Sequence, residues 1–353
     1  MRLSLAATAL TVALLGAAAS GCTTTTPTAP KPTTAPEPTK PALTLTDEPK
    51  DGYQPIYDFI SGARESLDMT MYQLSDAKAQ NALKAAAKRG VKVRVLLDSD
   101  TAGGGSSTMN KAAYSDLAAG GVAVRWAWSG TLWHQKSISR DGAAAAIMTC
   151  NLNAQDYPVV RDFAVITNNP ATVAGMGATF DKDWRATSSP PTSGVAPSGS
   201  DLVWSPGAQT SLVDLIDSAR SGTTIWAEDE QLNSPPIQQA LVSAAKRGVT
   251  VNFLITYSSD WASGLAALSQ GGVHVKVYQP NAPIYIHAKA LTVNDDTAYE
   301  GSANFTTAMT DQNRNVGIIT KDPAVVGGIR STIASDFAGA APLAPGPWTS
   351  PQP

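Results

Sequence analysis

The sequence has little cysteine, little histidine and few aromatic residues. Of its 353 residues, two are Cys, three are His and 7% are aromatic. Two cysteines cannot build a disulfide framework, so the fold must be stable through packing. The sequence also has no His-Glu-x-x-His motif, no closely spaced Cys pair and no Gly-x-x-x-x-Gly-Lys loop, which excludes the familiar zinc and nucleotide motifs. We therefore predict a site without a metal ion or an organic cofactor.

Neither sign of charge dominates. Lys and Arg number 26, Asp and Glu number 29, and the formal net charge is −3. An acidic total does not suit a protein that binds nucleic acid by neutralising its phosphates, although a local basic groove is compatible with it. Beyond residue 22 no apolar run is long enough to span a bilayer.

The first 22 residues have the layout of a secretory signal. Arg2 gives a positive start, Leu3–Ala19 is apolar, and small residues precede Cys22. This ending resembles the lipobox of bacterial lipoproteins, with Ala19 where that motif usually has Leu. The resemblance implies that Cys22 is lipidated and anchors an exported protein at the cell surface or in the periplasm. Secretion without an anchor is the alternative.

Both ends of the chain are rich in proline. Thr23–Pro41 holds eight Thr and six Pro in 19 residues, and such a segment cannot bury a core. We therefore predict an extended tether over residues 23–43. Residues 341–353 contain five Pro and are predicted to form a tail that is loose or lies along the surface.

The chain repeats itself. "AAAKRGVKVRVLL" begins at Ala85 and "SAAKRGVTVNFLI" at Ser243, so the two Lys-Arg-Gly-Val runs are 158 residues apart. Further along, matched positions are 153 residues apart: His134 and His287, Lys136 and Lys289, Asn151 and Asn304, Arg161 and Arg314, Asp183 and Asp336. The first copy therefore carries five extra residues, which we place in Thr101–Thr108.

Each copy alternates strand-like and helix-like segments. In the first copy "SLDMTMYQL" and "VKVRVLLD" read as strands, with a helix over Lys78–Arg89 that ends at Gly90. Further helices are predicted over Met109–Ala119 and Ala171–Arg185. Such alternation predicts an α/β fold with mostly parallel sheets.

The repeat predicts two pseudo-symmetric lobes, each a mostly parallel sheet flanked by helices. We place them at residues 44–190 and 201–340, with a Ser/Pro/Gly-rich linker at residues 191–200. Two such halves facing each other would bring matched residues together. The active site is therefore expected between the lobes.

Two of the three histidines occupy equivalent positions in the repeat. "HQKSISRDGAAAAIMTCN" begins at His134 and "HAKALTVNDDTAYEGSAN" at His287, each with Lys two residues after the His and Asn 17 residues after it. Residues two apart on a strand share a face. Converging Lys and Asn side chains can bind a phosphoryl group, because they neutralise its oxygens and donate hydrogen bonds. Since imidazole has a pKa of about 6.5, one ring can attack while the other donates a proton.

These motifs resemble those of the phospholipase D superfamily, in which His-x-Lys-x-x-x-x-Asp followed by Gly-Ser-x-Asn occurs twice. The resemblance covers about Leu45 to Ala340. It implies a two-lobed α/β fold and cleavage of a phosphodiester through a phosphohistidine intermediate. The nucleophile maps to the first-copy His and the general acid to the second, an order that we leave open. The catalytic residues that it implies are His134, Lys136, Asn151, His287, Lys289 and Asn304.

Several supporting positions depart from the superfamily pattern. The first motif keeps Asp141 but has "MTCN" in place of Gly-Ser-x-Asn, and the second has Asn294 where Asp is usual. The superfamily also orients each His with a downstream acid, often from the other lobe; this position is Asp162 in the first copy and Asn315 in the second. If the pairing crosses between lobes, the second-copy His has the carboxylate and the first-copy His has the amide. The supporting residues are Asp141, Thr149, Asp162, Asn294, Ser302 and Asn315.

The leading hypothesis is a phospholipase D that hydrolyses the headgroup phosphodiester of glycerophospholipids at a membrane surface, with transfer to alcohols as a second reaction. An exported endonuclease or phosphodiesterase of the same superfamily is the alternative, and nucleic acid is a partner only in that case. A non-catalytic lipoprotein that binds phosphate or lipid is a third hypothesis, favoured by the two Asn substitutions. Synthases that join two lipids are disfavoured, since such relatives usually carry membrane helices. We expect a monomer.

Two features lie outside the motifs. Glu228–Glu230 ends a second-copy strand, and we interpret it as a solvated strand end. An acidic and aromatic cage for a cationic headgroup is the alternative. His274 is interpreted as structural.

Overall fold

The N-terminal lobe is built on a sheet with helices packed against it. The computed structural model describes residues 42–99 and 106–344, with side chains described at all of these except residues 106–109. The elements of this lobe are β1 (Leu43–Glu48), α1 (Gln54–Ser61), β2 (Ser66–Met71), α2 (Ala77–Lys88), β3 (Lys92–Leu97), α3 (Ser106–Ala119), β4 (Ala123–Trp126), β5 (Lys136–Arg140), β6 (Ala144–Met148), β7 (Val160–Thr167) and α4 (Pro170–Arg185).

The C-terminal lobe largely repeats this order. Its elements are β8 (Leu202–Ser205), α5 (Ala208–Asp217), β9 (Thr224–Glu228), β10 (Leu232–Asn233), α6 (Pro235–Lys246), β11 (Thr250–Thr256), a 3₁₀ turn (Ser259–Trp261), α7 (Ala262–Gln270), β12 (His274–Tyr278), β13 (Tyr285–Ile286), β14 (Ala290–Val293), β15 (Thr297–Gly301), β16 (Phe305–Thr306), α8 (Thr307–Asp311), β17 (Asn315–Thr320), α9 (Pro323–Gly339) and β18 (Ala341–Pro342).

The two sheets have matching strand orders. They run β1-β7-β6-β5-β2-β3-β4 and β8-β17-β15-β14-β9-β11-β12, with β18 beyond β12. The α/β class and the two-lobed repeat are therefore confirmed. The expectation of mostly parallel sheets is wrong, because along these two strand orders only β2-β3-β4 and β9-β11-β12 are parallel and the other neighbouring pairs are antiparallel. In each lobe the strand after the His returns through a tight turn, at Asp141–Gly142 in the first, and so short a connection permits only antiparallel pairing.

The repeated helices begin and end at specific residues. α2 begins after Asp76, whose side chain accepts a hydrogen bond from the backbone N–H of Lys78. α6 begins after Ser234, which caps its helix in the same way. Just past these helices lie Gly90 with a φ of +93° and Gly248 with a φ of +87°. Glycine adopts this left-handed conformation without a steric penalty, which explains why both helices end here.

A shared apolar core lies between the two sheets. Side chains of β6 and β7 pack with those of β14, β15 and β17, and all of them are buried: Ala145, Ile147, Phe163, Val165, Ala290, Ala298, Val316 and Ile318. The described residues of both lobes belong to one compact unit. Because burial of apolar surface is the main stabilising contribution, this core holds one lobe against the other.

Two reciprocal ion pairs cross the interface. Nε of Arg161 on β7 lies 2.6 Å from Oδ2 of Asp336 on α9, and Nη2 of Arg314, just before β17, lies 2.7 Å from Oδ1 of Asp183 on α4. Nη1 of Arg161 also lies 2.5 Å from Oδ1 of Asp47. All five side chains are buried. The sequence repeat matched these arginines and aspartates by position, and the structure shows that each pair joins opposite lobes.

The structure describes only part of the segments predicted as the signal, tether, insertion, linker and tail. The signal segment with Cys22 and most of the tether lie outside the described residues, as does much of Thr101–Thr108. Leu43, assigned to the tether, is the first residue of β1, and Ala341–Pro342, assigned to the tail, pairs with β12. Residues 191–200 contain neither helix nor strand. In the described part of the chain no helix is long and apolar enough to cross a membrane.

Candidate active site

Each His-Lys segment is anchored to the opposite lobe immediately before its histidine. Trp133 makes a parallel bridge to Arg314, and Ile286 pairs with Arg161 where β13 joins β7. Trp133 and Ile286 are equivalent in the repeat, so the two anchors are reciprocal. Backbone pairing therefore brings both histidines to the interface between the lobes.

A cavity of about 540 Å³ lies between the lobes at this point. Both lobes line it, and the lining includes His134, Asn151, Asp162, Glu230, Tyr285 and His287. Lys136 and Lys289 are fully buried and contact the lining residues Tyr72 and Glu230. The structure thus brings the predicted His, Lys and Asn residues of both copies together.

His134 is held as a neutral ring. Its Nδ1 lies 2.8 Å from the carbonyl oxygen of Ser302 and 3.2 Å from Oδ1 of Asn315. A carbonyl oxygen can only accept, so Nδ1 carries the proton and Nε2 keeps its lone pair. Burial, and then the charges of Lys136 and Lys289, lower the pKa of His134 well below its usual value. The ring is therefore a neutral base with Nε2 available for attack.

His287 is held by a carboxylate instead. Its Nδ1 lies 2.8 and 3.0 Å from the two oxygens of Asp162 on β7, and its Nε2 lies 3.6 Å from Oε2 of Glu230. A carboxylate therefore faces each ring nitrogen, Asp162 from the first lobe and Glu230 from the second. The cross-lobe exchange inferred from the resemblance is observed, with the carboxylate on the second-copy ring and the amide on the first.

Thr149 and Ser302 orient the groups that hold the histidines. Oγ1 of Thr149 donates to Oδ1 of Asp162 at 2.5 Å, and Oγ of Ser302 donates to Oδ1 of Asn315 at 3.0 Å. Nδ2 of Asn315 donates to the carbonyl of Met309 at 2.8 Å, which turns the amide oxygen toward the ring. The two hydroxyls, predicted as supporting groups, lie one hydrogen bond behind the histidines. "MTCN" retains the hydroxyl that this role requires.

Lys136 and Lys289 place two fully buried amines in the site. Burial, and then the charge of Lys289, lower the pKa of Lys136 well below its usual value. Nζ of Lys136 donates to the carbonyl of His134 at 2.8 Å. Nζ of Lys289 lies 3.0 Å from Oε2 of Glu230 and also donates to the carbonyl of His287.

Asn151 and Asn304 have unmet hydrogen-bonding capacity. Nδ2 of Asn151 lies 3.4 Å from Oε1 of Gln73, and Nδ2 of Asn304 lies 3.4 Å from Oε2 of Glu230. Among the described residues, Oδ1 of each amide is buried and has no partner. Buried polar groups are normally satisfied, so each of these amides keeps the capacity for a further hydrogen bond.

Asp141 and Asn294 lie away from the cavity, at the far ends of β5 and β14. Both have left-handed φ angles, of +55° and +57°. Oδ1 of Asp141 accepts from the backbone N–H of Ser66 at 2.9 Å, and Oδ1 of Asn294 accepts from that of Arg220 at 2.9 Å. Asp and Asn both tolerate this φ and both provide the acceptor. These two predicted supporting residues therefore stabilise hairpin turns rather than the phosphate site.

Glu230 lies at the centre of the site, which the motifs did not predict. The interpretation of Glu228–Glu230 as a solvated strand end is wrong, since Glu228 and Asp229 are fully buried and Glu230 faces the cavity. One signal was available, because the 158-residue offset makes Glu230 the equivalent of Tyr72. The ring of Tyr72 lies 4.7 Å from that of His134. Glu230 is therefore expected at the corresponding position beside His287 in the second lobe.

Glu48 places a second buried carboxyl beside Asp162. The two residues are opposite each other in the β1–β7 register. Burial, and then the charges of Asp162, Asp51 and Asp47, raise the pKa of Glu48 from 4.5 to about 7. The folded protein therefore binds this proton more tightly than the unfolded chain, so the stability falls as the pH rises from 4.5 to about 7.

Replacing Glu48 by Gln is expected to remove this loss of stability. At pH 8 the free energy of unfolding should exceed that of the wild type by up to about 3 kcal/mol, and at pH 4 the two should agree within about 0.5 kcal/mol. Urea unfolding at both pH values measures the difference. Glu65→Gln, at an exposed carboxyl, controls for the loss of a charge alone. An unchanged pH profile in Glu48→Gln would contradict the raised pKa.

Both lobes match one family of known proteins. Residues 56–184 and 212–337 match the family described as "Cardiolipin synthase, PLD-like domain". Cardiolipin synthase A of Pseudomonas aeruginosa is 36% identical over 109 residues, which cover 29% of this chain and 22% of that protein. The mitochondrial cardiolipin hydrolase of Xenopus laevis is 26% identical over 126 residues, which cover 36% of this chain and 58% of that protein.

A solved structure extends the similarity over both lobes. The phosphatidylserine synthase of Haemophilus influenzae Rd KW20 superposes with a TM-score of 0.63 at 11% identity, covering 85% of this chain and 87% of that one. At that identity the likeness shows the fold alone. The family match and the curated relatives support phosphodiester chemistry of the phospholipase D superfamily.

Proposed function

We propose that this chain, which belongs to the family described as "Cardiolipin synthase, PLD-like domain", is a phosphodiesterase. It cleaves the headgroup phosphodiester of glycerophospholipids through a phosphohistidine intermediate. Water is the main acceptor, with transfer to alcohols as a second reaction. One observation carries this proposal: the proton of His134 is held on Nδ1 by the carbonyl of Ser302, which leaves the Nε2 lone pair in a cavity shared with His287. Support for a lipid substrate comes from relatives named for making or hydrolysing cardiolipin.

The two rings take different roles. In the first step Nε2 of His134 attacks phosphorus, the bond from phosphorus to the headgroup oxygen breaks, and His287 gives its Nε2 proton to that oxygen. In the second step His287 takes a proton from water, the water oxygen bonds to phosphorus, and the bond to His134 breaks. Lys136 and Lys289 stabilise the charge on the phosphoryl oxygens in both steps.

The place of action is part of the same proposal. A lipid-anchored, exported monomer would meet phospholipid at a membrane surface. Lipidation of Cys22 stays a prediction from the sequence, because that residue lies outside the described part of the chain.

A substrate panel tests the proposal. The purified chain, with EDTA present, is expected to form phosphatidate from vesicles of phosphatidylcholine, phosphatidylethanolamine or cardiolipin and to leave single- and double-stranded DNA intact. Mass spectrometry and gels read out the two classes. DNA cleavage without phosphatidate would favour the nuclease alternative, and inactivity on every substrate would favour a binding protein.

Two lysine variants connect this activity to the site. Lys289→Met should lower kcat/KM by about 10²- to 10³-fold, because it removes a charge that stabilises the phosphoryl oxygens. Lys276→Met is the matched control, since Nζ of Lys276 on β12 donates to the carbonyl of Phe337, outside the cavity. The control should retain kcat/KM within about twofold.

A further inference from the structure

The repeat is broken at one position that touches the catalytic lysines. Tyr72 and Glu230 are equivalent, 158 residues apart. In the first lobe Nζ of Lys136 lies 5.0 Å from the centre of the Tyr72 ring, whereas in the second Nζ of Lys289 lies 3.0 Å from Oε2 of Glu230. One lysine therefore faces a neutral ring and the other faces a carboxylate.

The Glu230 carboxylate lies where the second lobe would bind a phosphoryl oxygen. Besides Lys289, its Oε2 lies 3.4 Å from Nδ2 of Asn304 and 3.6 Å from Nε2 of His287. The hydroxyl of Tyr285 donates to Oε1 at 3.3 Å and holds the group in place. These neighbours are the same charged and amide groups that would hold a substrate phosphate.

Glu230 is ionised in this position. Burial opposes the charge, but the charge of Lys289, which also donates a hydrogen bond to the carboxylate, outweighs it and holds the pKa of Glu230 well below its usual value. Its side chain is 18% exposed, so solvent screens it only in part. A phosphate entering the site therefore meets a fixed negative charge within a few ångströms.

That charge acts differently on the two classes of phosphate ester. A phosphodiester carries one negative charge, whereas a phosphomonoester carries two above its second pKa of about 6. Repulsion by a neighbouring carboxylate grows with the charge of the ligand and is strong where water is scarce. Hydrolysis of a diester yields a monoester, so the same carboxylate opposes the product more than the substrate.

We infer that Glu230 is a specificity-determining residue, which makes the site accept singly charged phosphodiesters and reject doubly charged phosphomonoesters, including the product of the reaction. This inference rests on the proposed function. Glu230 yields its position at Lys289 to a diester and destabilises the bound monoester, which favours product release.

Binding of two small esters tests the inference. Isothermal titration at pH 8 gives the dissociation constants of methyl phosphate and dimethyl phosphate for the full chain. Glu230→Gln should bind methyl phosphate at least about tenfold more tightly than the wild type and dimethyl phosphate less than about threefold more tightly. Glu65→Gln is the control, since Glu65 is exposed and does not line the cavity, and it should shift either constant by less than about twofold.

Each result bears on the inference. Equal tightening of both esters by Glu230→Gln, or no tightening, overturns it. A measurement on the wild type alone covers the case in which the variant does not fold: methyl phosphate should bind at least about tenfold more weakly than dimethyl phosphate, and equal or tighter binding overturns the inference. If neither the wild type nor Glu230→Gln binds either ester, the phosphate site itself is contradicted. If the wild type forms phosphatidate but binds the two esters equally, the proposed function stands and only the role of Glu230 is removed.

Discussion

Replacing His134 by Ala should abolish turnover, whereas replacing His287 by Ala should stop the reaction halfway. A diester with a p-nitrophenyl leaving group needs no proton for its departure. His287→Ala should therefore form phosphohistidine on His134, release about one p-nitrophenol per protein molecule, and then stall because no group activates water. Steady-state turnover should fall by about 10⁴-fold or more in both variants.

Stopped-flow absorbance and mass spectrometry of acid-quenched protein distinguish the two variants. The third histidine provides the control, since His274 is exposed on β12, and His274→Ala should retain turnover within about twofold. A burst in His134→Ala, with none in His287→Ala, would reverse the two roles. Wild-type turnover in either variant would refute a two-histidine mechanism.

Replacing Asp183 by Asn should cost about 3 to 5 kcal/mol of stability, because it leaves a buried charge without its partner. Arg314 is fully buried, and burial lowers the pKa of its guanidinium. Asp183 is its ionic partner at 2.7 Å, and the carbonyl of Ser205 accepts from Nη1 at 3.3 Å. A neutral amide cannot balance the charge of Arg314.

Two further variants show whether the loss of stability depends on leaving a buried arginine without an ionic partner. Asp336→Asn, the equivalent change in the other pair, should cost less, about 1 to 2 kcal/mol, because Arg161 keeps Asp47 at 2.5 Å. Asp295→Asn, which breaks the exposed pair with Arg330, should cost less than about 1 kcal/mol. Urea unfolding at pH 7 ranks the three. Equal costs would contradict a role for the unpaired buried charge.

The repeat made much of the architecture predictable. Its two offsets matched strands and helices between the lobes, and the helix expected over Lys78–Arg89 is α2, one residue off at each end. The direction of strand pairing was missed because tight turns decide it, while the alternation of segments does not. Asp141–Gly142 is a hairpin signal. It lies inside a motif and was interpreted as part of the chemistry.

The chemical groups of the site followed from the motifs, but one of their contacts did not. The exchange of Asp162 and Asn315 between lobes was inferred from the resemblance. The 158-residue offset matches Glu230 to Tyr72, but the contact of Glu230 with Lys289 depends on how side chains of adjacent segments pack across the sheet, which the offset does not give.

The departure at "MTCN" has a packing explanation. In the second lobe a Cβ on Gly301 would lie 2.4 Å from Cα of Gly317, directly opposite on β17. The matching pair in the first lobe is Met148 and Ala164, where side chains are accommodated. The Gly of the second motif therefore reflects a close approach of two strands, which does not occur at the Met148–Ala164 pair of the first lobe.

Because the histidines are anchored reciprocally, neither lobe alone contains all the groups that hold its own histidine. Each ring takes its backbone anchor and the acceptor on Nδ1 from the other lobe. A change at Asn315 in the second half therefore acts on His134 in the first. A substitution in one copy is therefore constrained by residues of the other, because each copy is part of the environment of the other copy's histidine.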